Sequence, residues 1–325
     1  MDFGIKIYFN FKRSTKENTM KNIAIINTTL NNMTVVNNAL IKDLGANFFI
    51  INSNIEAAQA HVKDLEDVID FNNKSQLEVA DFRVLQKCDI ILIDVHSSWK
   101  PGMSDVDVMV QNSEFIYQVA WQTRLNNFNG LALILAPNNS VMTRVFADVS
   151  GLSTTKVIGL GAILESFRIN KQFGRVIENF ENNALVLGDS ENSFVAVQDL
   201  LFKYVNISSK DLDIENTVLQ ANTQTNRILS IKNHNNWGMG FWAFQVLDAI
   251  VNNKKTTFIL NVNKSDESMI SDVFISLPTT IDGEGISNIY WPKFSSKEEN
   301  LVYAFVNEQR NFYKIINHYF ASKNK

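Results

Sequence analysis

Short apolar runs bounded by polar residues recur through the first half of the chain. Ile23-Ala24-Ile25-Ile26, Phe48-Phe49-Ile50-Ile51, Asp89 to Ile93 and Leu131 to Leu135 are each four or five residues long. Runs of this length without alternation fit strands buried on both faces. Between the first two, Val35, Ala39, Leu40 and Leu44 recur at helical spacing. Val108, Phe115, Val119 and Gln122 or Thr123 mark the turns of a further helix over Val108–Leu125. This strand–helix–strand alternation predicts a doubly wound α/β unit with right-handed crossovers.

The second half is less regular. Asn182 to Leu187, Phe258 to Val262 and Val273 to Leu277, the last just before Pro278, read as strands. Ser295-Ser296-Lys297-Glu298-Glu299 has the composition of a capped helix start. Leu301, Phe305, Phe312, Ile315, Ile316 and Phe320 then supply an apolar stripe. No internal repeat is present, and the many Asn and few Pro residues fit a coding bias.

Composition narrows the function classes. A chain of 325 residues that is 45% hydrophobic can bury a large core, in two domains. The net charge of -4 and the absence of a long Lys/Arg run argue against a nucleic-acid groove. No apolar run is long enough for a membrane-spanning helix, so no membrane partner is expected. The single Cys88 excludes a disulfide framework, and the four histidines share no ligand spacing, so no metal site is expected. A reduced, cytoplasmic setting follows.

The segment Phe128 to Arg168, FNGLALILAPNNSVMTRVFADVSGLSTTKVIGLGAILESFR, is the most specific part of the chain. Within it, Gly159-Leu160-Gly161-Ala162-Ile163-Leu164-Glu165-Ser166-Phe167-Arg168 resembles the G-x-G-x-x-L-[DE]-x-x-R helix of the lactate/malate dehydrogenase family. Other pieces fall in the family's order. Lys100-Pro101-Gly102 resembles the start of a mobile active-site loop, and Gly188-Asp189-Ser190-Glu191 stands at G-E-H-G. Asn235-Asn236-Trp237-Gly238 stands at the T-x-[WY]-[AG] start of a substrate-pocket helix. Asp272 to Pro278 with Asp282 to Ile286 resembles the D-V-Y-x-S-x-P…G-x-x-G-I hairpin.

The chain is thus similar to the L-lactate and L-2-hydroxyisocaproate dehydrogenase branch from Asn22 to its last helix. That resemblance implies a Rossmann-type doubly wound parallel sheet over residues 21–143. An α+β lactate dehydrogenase-like C-terminal substrate domain is implied over 144–325. Residues 1–20 are expected to be a non-native or disordered extension, with Met20 as the natural start. They lack the apolar core and cleavage site of a signal peptide.

The resemblance also implies NAD as cofactor, a small 2-hydroxy or 2-keto acid as ligand, and assembly into oligomers. The residues at the family's site positions are altered. A G-x-G-x-x-G turn lets backbone N–H groups approach a pyrophosphate at a helix N-terminus, and here Asn27, Thr29 and Asn32 take those positions. Asn tolerates a left-handed turn, but the Thr29 and Asn32 side chains fill space that the phosphate and helix packing need. Asn52 stands where the family keeps the carboxylate for the ribose hydroxyls, and His96 replaces a small residue after the fourth strand. These changes argue against ordinary NAD binding.

Hydride transfer to a keto acid requires a carboxylate anchor, a polarising cation and a proton donor. Arg168 keeps the anchor position, and Glu165 conservatively replaces the Asp that orients the catalytic histidine. Asp105 stands at the loop Arg, Pro137 at the carbonyl-contacting Asn, with Asn138 and Asn139 next to it, and Ser190 at the histidine. Loss of a general acid costs about 10² to 10⁴ in rate. Loss of a polarising donor costs on the order of 10² to 10³ more, and the two need not add.

Blander roles compete at each position. Arg168 and Glu165, three residues apart, suit a structural ion pair. Ser190 suits a turn between solvated Asp189 and Glu191. His96 suits a hydrogen-bonded filler, and Lys100 and Asp105 suit solvent. Trp237 is expected to pack in the pocket wall beside Asn235, and His234 would restore a titratable group if it reached the cleft.

The sequence therefore predicts a catalytically degenerate family member that keeps fold, oligomerisation and carboxylate binding. It would assemble with itself or with an active paralogue. The alternative is a divergent, active NAD-dependent oxidoreductase interconverting an L-2-hydroxy acid and its 2-keto acid.

Overall fold

A computed structural model describes residues 20–69, 73–95, 103–176, 185–189, 193–196, 213–232 and 234–323. The expectation for the N-terminal extension falls outside them, apart from Met20. The first half runs β1 (Lys21–Ile26), α1 (Leu30–Ile41), β2 (Ala46–Ile51), α2 (Ile55–Glu66), β3 (Gln76–Val79) and β4 (Ile90–Ile93). It continues through α3 (Asp105–Leu125), β5 (Leu131–Ile134), α4 (Asn139–Ser150), β6 (Val157–Gly159) and α5 (Ile163–Val176). The second half holds β7 (Val186–Gly188), β8 (Ser193–Val195), α6 (Ile214–Lys232) and α7 (Asn236–Val251). It closes with β9 (Thr256–Val262), β10 (Ile275–Asp282), β11 (Gly285–Ile289) and α8 (Ser296–Lys323).

Each apolar run of the first half is a strand buried on both faces. Ile23 and Ile25 join one core with Val35, Val36 and Ala39 of α1 and Ala58 and Val62 of α2. Ala24 and Ile26 join the other with Ile116 and Val119 of α3 and Phe146 of α4. Period-two side-chain direction divides the strand between two apolar layers, so neither face can meet water.

The six strands are parallel in the order β3-β2-β1-β4-β5-β6. This is the predicted doubly wound sheet, and its order reverses between β1 and β4, where such folds open a crevice. The sheet then continues through β9-β10-β7-β8, with β11 beside β10, and every pairing in this part is antiparallel. The expected division after residue 143 lies inside α4.

Among the described residues, the parallel and antiparallel parts of the sheet join at the β6–β9 pair, Gly159 with Asn261. There a buried polar network replaces ladder bonds. Asn139 Oδ1 accepts from Gly161 N at 3.0 Å and from Asn261 Nδ2 at 3.1 Å, and Ser276 Oγ donates to Asn261 Oδ1. A Cβ on Gly161 would lie 2.3 Å from Asn261 Oδ1, and one on Gly159 would lie 2.2 Å from Asn139 Oδ1. The two glycines of the most specific motif thus make room for this joint.

Some expectations need correction. The helix of the first crossover ends at Ile41, and Leu44 belongs to the turn before Gly45, at φ +68°. The strand read as ending before Pro278 begins at Ile275 and runs through Pro278 to Asp282. Pro278 has no N–H to donate, but its carbonyl still serves the sheet by accepting from Tyr290 N at 2.9 Å. In α8, Ser295 and Glu298 form the predicted cap, with Ser295 N donating to Glu298 Oε2 at 2.7 Å. However, Leu301 and Ile315 are exposed and Val302 and Val306 take the inner face, so the buried stripe is rotated from the predicted one.

Candidate functional site

At the sheet reversal, the turn after β1, the residues after β2 and the end of β4 come together. Asn27 sits at φ 75°, the left-handed conformation a tight turn requires. Its backbone N donates to Ile51 O at 2.8 Å. Thr29 is the N-cap of α1, and its hydroxyl accepts from Asn32 N at 3.3 Å. Asn32 is fully buried, and its amide donates to Ile26 O at 2.7 Å and Asn27 O at 2.9 Å. The side chain therefore fills the space beneath the turn, as its residue type predicts.

Asn52 closes the same loop from the side. Its amide nitrogen donates to Thr28 Oγ1 at 2.6 Å and Asn27 Oδ1 at 3.3 Å, while its Oδ1 accepts from Asn54 N at 2.9 Å. Asn27, Thr29, Asn32 and Asn52 are thus brought together, and bonded to one another rather than held open.

Sequence reasoning missed the group at the centre. Asp94, directly after β4, is 2% exposed. Its Oδ2 accepts from Thr29 Oγ1 at 2.6 Å and from Asn31 Nδ2 at 3.1 Å. Burial pushes its carboxyl up to about 7, against hydrogen bonds from Thr29, Asn31 and the Val95 backbone that pull it down. The available signal was an acid inside the apolar stretch Ile90 to Val95, where an unpaired charge would be costly. His96, two residues on, lies outside the described residues.

The residues present do not fit a dinucleotide. Its pyrophosphate needs free donors and open space at the α1 N-terminus. Here a buried carboxylate, Asp94, already faces the turn through the Thr29 and Asn31 side chains, and Asn32 takes the space beneath it.

On the substrate side, Arg168 is 8% exposed and Glu165 2% exposed, both on α5. Arg168 Nη1 lies 3.4 Å from Glu165 Oε1 and donates to Thr225 Oγ1 of α6 at 2.5 Å. Burial pulls the guanidinium below its usual pKa, and the Glu165 charge opposes that. The pair ties α5 to α6, so an incoming carboxylate would have to compete with it.

The remaining positions scatter. Asp105 is exposed in the first turn of α3, behind a capping box of Ser104 and Asp107. Pro137 is half-buried. Asn139, a candidate to replace the missing Asn, is 3% exposed and donates to Ile134 O at 2.8 Å and Ala136 O at 3.2 Å. Asn138 holds the left-handed conformation at φ 48° before α4. Ser190, Glu191 and Lys100 lie outside the described residues. Asp189, expected in a solvated loop, is instead 2% exposed, and its Oδ2 accepts from Ser140 N at 2.7 Å. It caps the start of α4, where a negative charge meets the positive end of the helix.

Asn235 is half-buried at the N-cap of α7 and makes no side-chain cap. Trp237, expected in the pocket wall, is 68% exposed, with Lys232 Nζ 5.4 Å from its ring centre. The buried residue of that turn is Asn236, which donates to Thr34 Oγ1 of α1 at 3.1 Å. Cys88 is buried, and burial pushes its thiol up to about 12, far from a thiolate nucleophile. Among the described residues no group of three or more His, Cys, Asp or Glu side chains could hold a metal ion, and no helix is long and apolar enough to cross a membrane.

No family model matches the chain. Curated relatives do. The chain is 22% identical to an L-lactate dehydrogenase of Mycoplasma mobile over 286 residues, 83% of this chain and 88% of that one. It is 24% identical to an L-lactate dehydrogenase of Mesomycoplasma hyopneumoniae strain 232 over 273 residues, 80% of this chain and 87% of that one.

Solved structures share the fold. A lactate dehydrogenase from a Medee basin deep-sea metagenome library aligns with TM-score 0.83 at 21% identity, over 92% of this chain and 99% of that one. The lactate dehydrogenase of Eimeria maxima with NADH and oxamate aligns with TM-score 0.81 at 16% identity, over 95% and 98%. The apo malate dehydrogenase of Picrophilus torridus aligns with TM-score 0.76 at 19% identity, over 94% and 100%.

Proposed function

Since this chain belongs to the lactate/malate dehydrogenase family, we propose that it is a catalytically degenerate member that keeps the scaffold without ordinary NAD-dependent turnover of 2-hydroxy acids. The observation that carries this reading is the first βα turn. Thr29 Oγ1 bonds a buried carboxylate at 2.6 Å, and the Asn32 amide fills the space below.

The substrate side supports the same reading. Asp105 places an anion at the loop cation's position, and the family's histidine position is Ser190. A serine hydroxyl with its ordinary pKa is a poor proton donor near neutrality. Arg168, the retained anchor, is engaged by Glu165 and Thr225. Such a chain acts through assembly, with copies of itself or with an active paralogue, or by holding a small carboxylate after Arg168 is released.

NADH titration by fluorescence or calorimetry, followed by addition of pyruvate and then 2-ketoisocaproate, tests the reading. The expected result is no saturable binding below the millimolar range and no NADH oxidation. Micromolar binding with turnover would overturn it in favour of a divergent active 2-hydroxy-acid dehydrogenase.

A further inference from the structure

A helix that opens directly after a strand presents free N–H groups and the positive end of its dipole to an anion. In this chain that end already faces a carboxylate of the protein. Thr29 is the N-cap of α1 and Asn31 lies in its first turn, and both side chains donate to Asp94 Oδ2. Asp94 itself is 2% exposed, so water does not stand between the three groups.

The turn is otherwise intact. Asn27 holds the left-handed conformation a glycine would supply, and α1 starts directly behind it. The backbone path of the phosphate loop is therefore retained; Asn32 takes the space beneath it, and Asp94 adds a carboxylate that engages the Thr29 and Asn31 side chains. Asn31 Oδ1 and Asn32 Oδ1 add buried acceptors with no partner. Acceptors offer nothing to a phosphate, which is itself an acceptor.

We propose that Asp94 is an internal anion standing in for a dinucleotide's pyrophosphate at the N-terminus of α1, and that this carboxylate sets the cleft against phosphate-bearing ligands. The inference rests on the degenerate reading and names the group responsible. Where the Asp94 carboxyl is ionised, above about pH 7, a phosphate entering the turn meets a like charge at short range and competes with it for the Thr29 and Asn31 side chains. Like-charge juxtaposition of this kind costs orders of magnitude in affinity.

The test is calorimetric titration of the full chain and of Asp94→Asn, Asp94→Ser and Asp94→Glu, with inorganic pyrophosphate and NADH as probes and a melting curve for each protein. The parent and Asp94→Glu should show no saturable heat. Asp94→Asn and Asp94→Ser should melt no lower than the parent and bind pyrophosphate about tenfold tighter or more. A gain for pyrophosphate alone supports the proposal and places the further block to NADH in Asn52 or beyond.

Neutral variants that fold but gain no affinity would overturn the proposal while leaving the degenerate reading in place. Collapse of both neutral variants would overturn it too, because a group that only occupies the turn is not required for folding. Tight NADH binding by the parent would remove both the proposal and the reading beneath it.

Discussion

At the scale of single residues, the chain's departures from its family are hydrogen-bonded substitutions rather than vacancies. Asn32, where the family resemblance implies a glycine, satisfies two backbone carbonyls, and Asn52, where it implies a carboxylate, ties two loops. Asp94 is different, because its desolvation exceeds what its donors return. Its carboxyl is raised from 3.8 to about 7, so the folded state binds a proton more tightly than the unfolded state. Stability from this group is fully present below about pH 4 and is lost as pH rises to 7. At 1.36 kcal/mol per unit the loss is up to about 4 kcal/mol. Asp94→Asn should therefore raise the urea midpoint at about pH 8 and leave it nearly unchanged at about pH 3.5, and an equal effect at both pH values would contradict the raised carboxyl. Arg168 gives the second prediction at this scale. Removing one member of a buried pair typically costs about 3–5 kcal/mol. Arg168→Ala should lower the melting temperature sharply, and millimolar pyruvate should not raise that of the parent. Ligand stabilisation by pyruvate that the variant lacks would instead make Arg168 a carboxylate anchor.

At the scale of elements, the legible parts were those fixed by local pattern. The runs at β1, β2, β4 and β5 announce buried strands because both faces must be apolar, and Ser295 with Glu298 announces the start of α8 because the cap is four residues long. The motif Gly159-Leu160-Gly161 was legible as a match but not as physics. The reason for Gly161 is Asn261, some hundred residues later, whose amide lies where its Cβ would go, and the reason for Gly159 is Asn139, whose side-chain oxygen lies where that Cβ would go. Asp94 escaped notice for the same cause, since its donors Thr29 and Asn31 lie about sixty residues earlier. Trp237 misled because helical phase at a helix start depends on the capping residue, and here Asn236 turns inward instead. The joint between the parallel and antiparallel halves rests on Asn139, Asn261 and Ser276 rather than on a full ladder. Asn261→Ala deprives the buried Asn139 carbonyl of a donor and should cost about 1–3 kcal/mol. Gly161→Ala should be worse, because the new Cβ meets Asn261 at 2.3 Å in a packed interior. Urea midpoints check both, and a midpoint unchanged in either variant would show that the joint carries little of the stability.

At the scale of the whole molecule, one face is hard to reconcile with a solitary chain. Phe167 on α5 and Phe241 on α7 are 43% and 42% exposed, and both rings contact Trp242, at centroid distances of 5.0 and 5.4 Å. Trp237, one turn before Phe241 on the same helix, is 68% exposed. Phe167, Trp242 and Phe241 form a ring cluster across two adjoining helices, and exposed apolar patches on folded proteins mark contact sites. α7 is also the helix that packs on α1, with the Asn236 amide donating to Thr34 Oγ1 at 3.1 Å. The proposed action through assembly calls for a surface of this kind. Sedimentation equilibrium should therefore show a self-associated parent. Phe241→Asp, which places a charge on the patch without entering the core, should shift it to monomer with its melting curve little changed. A parent that sediments as a monomer would leave the face to a paralogue, and co-purification with an active dehydrogenase subunit, abolished by the same substitution, would then be the expected result.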